Sequence, residues 1–182
     1  HVAVLPVGGM HLTNDLAIGL KTDLDVAEAV KLQFGTLDKP KKTVAKVTVA
    51  KQEHQFDADE VRMIIEARVE DLLELVDKEL KKIQRSQKLP GGVVLAGGTA
   101  KLPGLADFTK EKLQLPARVG ALQSIGGLLD TVNDPSYFTA VGLMTLDMLL
   151  LPMDSAYNSL GQPNTSVMGF IDGIMSRFKP KH

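Results

Sequence analysis

The residues best placed by type and spacing to hold a ligand form a glycine turn, Gly97-Gly98-Thr99. Four apolar residues precede the turn, which is typical of a short buried strand, and residues 105–113 continue at helical spacing. A strand, a glycine turn and a helix can bring backbone N–H groups against a ligand, or can be no more than a tight connection. The spacing matches neither GxGxxG nor GxxxxGK[ST], so neither a Rossmann site nor a phosphate-binding P-loop is predicted.

Other side chains with reactive chemistry are isolated. The 182 residues include no cysteine, which excludes disulfides, thiol catalysis and cysteine metal sites. His11 and His54 have no second ligand at metal-binding spacing, so we read both as surface or hydrogen-bonded histidines and predict no metal site. A formal net charge of −1 and the absence of tryptophan do not indicate a nucleic-acid partner.

Strand and helix patterns alternate along the chain, which predicts an α/β fold. Residues 2–7 read as a strand, so the chain is expected to begin inside a larger protein. The predicted elements are helices over about 14–21, 25–34, 58–86 and 137–151 and strands over 44–49, 93–96 and 118–120. Asp57 is the predicted cap of the longest helix, and Gly35 the predicted stop of the second.

The composition changes after residue 151. Residues 152–166 are mostly polar or small, with three serines, two asparagines and two prolines and few apolar side chains, which predicts a flexible linker. The following segment places apolar residues at helical spacing: Val167, Phe170, Ile171, Ile174, Met175 and Phe178. Its other face carries more basic than acidic residues. Such an amphipathic helix is expected to pack on the body of the protein, enter a partner's groove or lie on a membrane, and phenylalanines beside basic residues favour the membrane.

Several motifs together carry a family resemblance. The chain reads VGGMHLTND over 7–15, AEAVK over 27–31 followed by Gly35, VLAGGTA over 94–100 and AVGL over 140–143. In this order the motifs resemble the C-terminal half of an actin-like, ribonuclease H-like ATPase fold. The form of residues 7–20, the IEARVE run over 65–70 and the C-terminal amphipathic segment resemble the FtsA family of bacterial cell-division proteins. The resemblance covers essentially the whole chain.

The resemblance implies a site for the adenosine part of ATP, bound with magnesium. The implied residues are Gly9 beside the nucleotide, Glu28 and Lys31 at the ribose and adenine, and Gly97, Gly98 and Thr99 below the adenosine, flanked by Lys101 and Leu102. From the residues alone, Glu28 and Lys31 are better explained as an ordinary surface ion pair one helical turn apart. The family's phosphate loop and magnesium-anchoring aspartate are expected upstream of this chain. No catalytic residue is therefore predicted in this chain. The full-length protein is expected to hydrolyse ATP slowly, if at all.

The resemblance also implies partners and a division into subdomains. Arg62 and Arg68 would face a groove that receives the acidic C-terminal tail of FtsZ, although both also fit a solvated helix face. Other expected partners are further copies of the chain in a filament, later division proteins and the cytoplasmic membrane surface at the septum. The expected units are a larger subdomain of residues 1–22 and 91–151, a smaller inserted α+β subdomain of 23–90, the linker 152–166 and the membrane helix 167–182.

These expectations describe an ATP-binding, polymerising adaptor that tethers the FtsZ ring to the membrane during cell division. Two alternatives remain open from the sequence. One is a competent ATPase or sugar kinase of the same superfold, which would give no reason for the terminal amphipathic helix. The other is a pure interaction domain, in which the glycine turn serves only for packing. Nucleotide binding distinguishes these possibilities.

Overall fold

A computed structural model describes residues 1–121 and 134–150, without the side chains of residues 149 and 150. Within this description, His1–Thr139 forms one compact unit and a second unit begins at Ala140. The predicted linker 152–166 and amphipathic helix 167–182 lie outside the described residues. No helix within the described ranges combines the length and apolar character that crossing a bilayer requires.

Helices alternate with short strands along the described chain. In order, the elements are α1 (Gly9–Gly19), α2 (Leu24–Phe34), β1 (Val44–Val49), β2 (Gln52–Asp57), α3 (Ala58–Lys82), β3 (Val93–Leu95), α4 (Leu105–Leu113), β4 (Ala117–Val119) and α5 (Phe138–Leu150). Two 3-10 turns, Gly98–Lys101 and Pro135–Tyr137, follow β3 and precede α5. The division into larger and smaller subdomains stays a prediction.

The described strands form two small sheets. β1 and β2 pair in an antiparallel hairpin, with Val49 opposite Gln52, and β3 and β4 pair in parallel. The hairpin turns at Ala50 and Lys51, whose φ angles of 49° and 66° suit a two-residue turn. Such a turn usually carries asparagine or glycine, and their absence is the reason that the sequence did not predict β2.

The core lies where α1, α2, α3 and β1 pack together. Leu16 of α1, Val30 of α2, Val47 of β1 and Ile65 of α3 are each at most 1% exposed. Burying one such aliphatic side chain contributes about 1.5–3 kcal/mol, so these contacts fix the helices relative to each other. The consequence for function is that the N-terminus of α1 and one face of α2 are held side by side.

The prediction of a strand over residues 2–7 is wrong. Val2 and Val4 are each 91% exposed, and no described strand pairs with this segment. A strand requires a neighbour that bonds its N–H and C=O groups, and apolar sequence alone does not supply one. The first helix also begins at Gly9 instead of residue 14. The backbone N–H of Gly8 donates to Nδ1 of His11 at 3.1 Å, and this bond caps the longer helix.

Candidate functional site

A cavity of about 580 Å³ lies between α1, α2 and the glycine turn after β3. Its volume is in the range of about 300–1,000 Å³ that is typical of small-molecule sites. Of the eight residues predicted to bind a nucleotide, seven line this cavity: Gly9, Glu28, Lys31, Gly98, Thr99, Lys101 and Leu102. These residues come from three segments of the sequence that only folding brings together.

Gly97 shapes the turn without lining the cavity. Its φ of +93° is one that side-chain-bearing residues rarely adopt, so glycine is needed at this position. The N–H of Gly97 donates to the carbonyl of Pro135 at 3.0 Å. Gly98 then begins the 3-10 turn and is the residue of the pair that reaches the cavity.

Gly9 allows the first helix to approach this turn closely. A Cβ atom at Gly9 would lie 2.9 Å from Oγ1 of Thr99, closer than such atoms normally come. The start of α1 and the glycine turn therefore form one continuous wall of the cavity. A larger residue at position 9 would displace Thr99 and change the shape of that wall.

Glu28 and Lys31 form an ion pair on the α2 side of the cavity. The Lys31 Nζ lies 2.6 Å from Oε2 of Glu28 and 2.8 Å from Oγ1 of Thr13. Thr13, which the sequence analysis did not single out, also donates its hydroxyl hydrogen to Oε2 of Glu28. Partial burial acts to raise the pKa of Glu28, but the hydrogen bonds from Lys31 and Thr13 and the Lys31 charge together lower it. The carboxylate is therefore ionised at neutral pH.

A second ion pair fastens the segment before α5 to the glycine turn. Lys101 Nζ lies 2.7 Å from Oδ2 of Asp134, and the N–H of Ser136 donates to Oδ1 of Asp134 at 2.9 Å. The hydrogen bonds from Lys101 and Ser136 lower the pKa of Asp134 to about 2. Ser136 thereby reaches the cavity lining. The sequence showed only a helix-start pattern at Asp134-Pro135, which gives no indication of a binding role.

The remaining wall joins the end of α2 to the loop before α4. The N–H of Leu37 donates to the carbonyl of Pro103 at 2.9 Å, and a Cβ at Gly35 would contact the Leu102 side chain at 3.3 Å. Met10 and Leu32 also line the cavity although they are 66% and 74% exposed. The site therefore offers exposed apolar surface, glycine backbone and a carboxylate. This combination suits a ligand with a flat apolar part and hydroxyl donors.

The arginines predicted to bind a partner already have intramolecular contacts. Arg62 pairs with Glu66, and Arg68 pairs with Asp15 on α1 through two nitrogens. The hydrogen bond to Asp15 raises the pKa of Arg68. Because the residues are six apart on one helix, their side chains leave α3 about 120° apart around its axis. A partner that covers one arginine therefore reaches the other only by wrapping around the helix.

Comparisons with known proteins agree with the sequence resemblance. A family model described as cell division protein FtsA matches residues 1–142. The chain is 40% identical over 146 residues to cell division protein FtsA of Bacillus subtilis, with 78% of this chain and 32% of that protein covered. FtsA of Pseudomonas aeruginosa is 32% identical over 149 residues, with 79% and 36% covered. The chain thus spans about a third of the length of the curated relatives it matches.

Solved structures show the same kind of fold. MreB5 of Spiroplasma citri bound to ADP aligns with a TM-score of 0.59 and 16% identity, covering 80% of this chain and 46% of that one. The MamK double helical filament aligns with a TM-score of 0.58 and 24% identity, covering 81% and 46%. The chain therefore has an α/β, actin-like fold. With the family model matching most of its length, the chain belongs to the FtsA family of cell division proteins.

Proposed function

We propose that the cavity binds the adenosine part of ATP. The observation that supports this proposal is the convergence of seven implied nucleotide-binding residues from three segments on one cavity. Two structural neighbours are described with adenine nucleotides, MreB5 with ADP and a MamK mutant with AMPPNP. Their common fold with this chain makes an adenine nucleotide the ligand to test first.

The chemistry of the lining fits such a ligand. Glu28 is ionised and can accept a hydrogen bond from a ribose hydroxyl. Met10 and Leu32 offer apolar surface to the base, and Gly98 presents backbone with no side chain in the way. Magnesium, when bound with ATP, neutralises phosphate charge. In this proposal the magnesium ligands belong to other parts of the full-length protein.

At the level of the whole protein, we propose an actin-like adaptor for cell division. It would polymerise, attach the FtsZ ring to the cytoplasmic face of the membrane at the septum, and recruit later division proteins. Membership of the FtsA family supports the cell-division role, and the filament formed by the MamK neighbour supports self-association. Residues 167–182 are the proposed membrane-binding segment. Their sequence has the apolar face and basic flank that surface-bound helices carry.

For the FtsZ tail, we propose contacts through Arg62 and Arg68, which require the tail to wrap partly around α3. The tail is acidic, and both arginines are partly exposed on the helix. An acidic segment that approaches Arg68 meets a guanidinium already bonded to Asp15. The tail carboxylate would therefore add to this pair or compete with Asp15. Charge pairs at such a rim set orientation and association rate more than affinity.

Equilibrium binding of ATP to the full-length protein tests the nucleotide proposal. We choose Gly98→Val because a Cβ there has only ordinary contact, 3.6 Å from the Ser136 hydroxyl, while further atoms would occupy cavity space. The matched control is Gly91→Val, because a Cβ at Gly91 meets no atom within 4 Å. We expect calorimetry to show ATP binding by the wild type and by Gly91→Val. Gly98→Val should bind at least about tenfold more weakly with an unchanged melting temperature. Failure of the wild type to bind ATP or ADP would remove the proposal.

A further inference from the structure

Thr13 lies behind the cavity wall, in contact with both charged residues of α2. It is 2% exposed and sits one helical turn after Gly9 on α1. The Lys31 ammonium donates to its hydroxyl oxygen at 2.8 Å. The hydroxyl has two acceptors within reach, Oε2 of Glu28 at 2.5 Å and the more distant carbonyl of Gly9 at 3.3 Å, and the shorter distance assigns the hydrogen bond to Glu28. Thr13, Glu28 and Lys31 thus form a closed triangle of hydrogen bonds between α1 and α2.

The hydrogen-bonding capacity of Lys31 is fully used within this arrangement. An ammonium has three N–H donors. Nζ of Lys31 donates to Oε2 of Glu28 at 2.6 Å, to Oγ1 of Thr13 at 2.8 Å and to the carbonyl of Gly9 at 3.3 Å. The Lys31 side chain is also only 15% exposed, against 40% for Glu28. Lys31 therefore has no donor left for a ligand unless one of these bonds breaks.

Unlike Lys31, Glu28 keeps hydrogen-bonding capacity for a ligand, because one of its two carboxylate oxygens accepts no bond from a described residue. Thr13 and Lys31 both bond to Oε2. No described residue donates a hydrogen bond to Oε1, and Glu28 is one of the residues that line the cavity. A carboxylate oxygen accepts hydrogen bonds and donates none while ionised. The triangle thus presents one acceptor of fixed orientation to whatever enters the cavity.

We propose that Thr13 is a positioning residue of the nucleotide site, which orients Glu28 so that Oε1 accepts a hydrogen bond from a ribose hydroxyl. Lys31, which bonds to the same oxygen Oε2, holds the carboxylate together with Thr13. The inference rests on the proposed function, because it assumes that the ligand is a ribonucleotide. It goes further by naming the buried residue, Thr13, on which recognition of the ribose hydroxyl depends.

The consequence is selectivity for ligands that carry the hydroxyl. Glu28 is 40% exposed, so Oε1 is hydrated when no ligand is bound, and a ribose hydroxyl replaces that water with a hydrogen bond to a charged acceptor. An analogue that lacks the hydroxyl does not make this bond and should bind more weakly. Removing the Thr13 hydroxyl leaves Glu28 held by Lys31 alone, which should loosen its orientation and reduce this discrimination. A residue that only supported the fold would instead weaken the binding of every nucleotide by a similar factor.

The variants isolate the hydroxyl of Thr13. Thr13→Val keeps the shape of the side chain and removes the hydroxyl, whereas Thr13→Ser keeps the hydroxyl. Thr13→Ala removes the hydroxyl with less bulk and replaces Thr13→Val if that variant does not fold. The matched control is Thr109→Val, because Thr109 is 0% exposed on α4 and its hydroxyl has no hydrogen-bond partner among the described residues. Replacing Thr109 by valine therefore removes a hydroxyl without breaking a hydrogen bond to any described residue.

The measurement compares the affinities of the full-length protein for ATP, 2′-deoxy-ATP and 3′-deoxy-ATP. We expect Thr13→Val to weaken ATP binding about tenfold, the size of effect expected for a lost hydrogen bond to a charged group. At least one deoxynucleotide should be weakened by less than about twofold, because the contact is already absent. Thr13→Ser and Thr109→Val should bind all three nucleotides as the wild type does.

Each alternative result has a separate meaning. Equal weakening of all three nucleotides by Thr13→Val would overturn the positioning role and leave the nucleotide site intact. Unchanged ATP affinity in Thr13→Val, or failure of Thr13→Ser to restore it, would also overturn that role. A wild-type protein that binds no adenine nucleotide would instead remove the proposed function, and this inference with it.

Discussion

Arg68 on α3 holds Asp15 on α1 through two hydrogen bonds, one of them 2.9 Å from Nη2 to Oδ1, across 53 residues of sequence. The same helix α1 contributes Gly9 and Thr13 to the candidate nucleotide site. The Arg68–Asp15 pair thus connects the helix proposed to receive a partner with the helix that borders the cavity. The proposed partner surface on α3 and the proposed nucleotide site beside α1 are therefore linked by this ion pair.

Replacing Arg68 and Asp15 in separate variants tests whether Arg68 contacts a partner or only stabilises the fold. Arg68→Gln and Asp15→Asn both remove the paired hydrogen bonds between guanidinium and carboxylate, and each should lower the free energy of unfolding by about 1 kcal/mol. Only Arg68→Gln removes a charge that an acidic tail could bind. We expect it to weaken binding of an FtsZ tail peptide about tenfold, while Asp15→Asn retains the wild-type affinity. Peptide titration by fluorescence anisotropy measures this, and equal loss of affinity in both variants would return Arg68 to a structural role.

The Lys101–Asp134 ion pair predicts how the carboxyl group of Asp134 titrates. The pKa of Asp134 is lowered to about 2 from 3.8, so the pair stabilises the folded state above pH 3.8, and this contribution is lost as the pH falls from 3.8 to 2. Lys101→Met should raise the pKa of Asp134 towards 3.8 but not reach it, because Ser136 still donates to the carboxylate. Carboxyl-detected NMR titration measures the change. Lys110→Met on α4 is the control, and a pKa that stays at about 2 in Lys101→Met would contradict the assignment.

Adjacent glycines before β3 should differ sharply in their tolerance of substitution. Gly92 has a φ of +69°, and a Cβ there would lie 2.3 Å from the Pro116 carbonyl oxygen. Gly92→Ala should therefore destabilise the protein by about 2 kcal/mol or more. Gly91→Ala meets no atom within 4 Å and should change stability by less than about 0.5 kcal/mol. Thermal unfolding of the two variants measures this difference, and similar melting temperatures would contradict the close approach of Gly92 to the Pro116 carbonyl.

The amphipathic segment predicts binding to anionic liposomes. Phe170→Glu places a carboxylate on the apolar face, where it opposes both burial and attraction to negatively charged lipid. We expect the full-length protein to float with such liposomes and the variant to remain unbound. Asn164→Glu adds the same charge in the predicted linker and should float normally. Flotation of Phe170→Glu at the wild-type level would remove the membrane assignment.

Elements with strong local signals were predictable from the sequence. The periodicity of α3 and its cap at Asp57, whose carboxylate accepts from the N–H groups of Asp59 and Glu60, were both correct. Gly35 at the end of α2 was also correct. These features depend on neighbouring residues, so a single sequence contains the information. The misplaced strand over residues 2–7 failed for the opposite reason, because strand formation depends on a distant partner.

The site was predictable in its outline but not in its connections. The resemblance supplied Glu28, Lys31 and the glycine turn. Thr13 belonged to the motif over 7–15 and preceded the predicted helix 14–21, but nothing in the sequence indicated which residues it would contact. Its partners lie 15 and 18 residues away in sequence and meet it only in the folded chain. In the same way, two adjacent glycines look alike in sequence, although Gly97 makes the turn and Gly98 lines the cavity.

Photoaffinity labelling with 8-azido-ATP tests the central claim most directly, because it reports where the base binds. The full-length protein is irradiated with the probe in the presence and absence of excess ATP, and the labelled peptides are identified by mass spectrometry. The cavity predicts adducts in peptides that contain Met10, Leu32 or the segment 98–103, and excess ATP should suppress them. ATP-protected labelling confined to other parts of the protein would contradict the assignment of this cavity as the adenosine site.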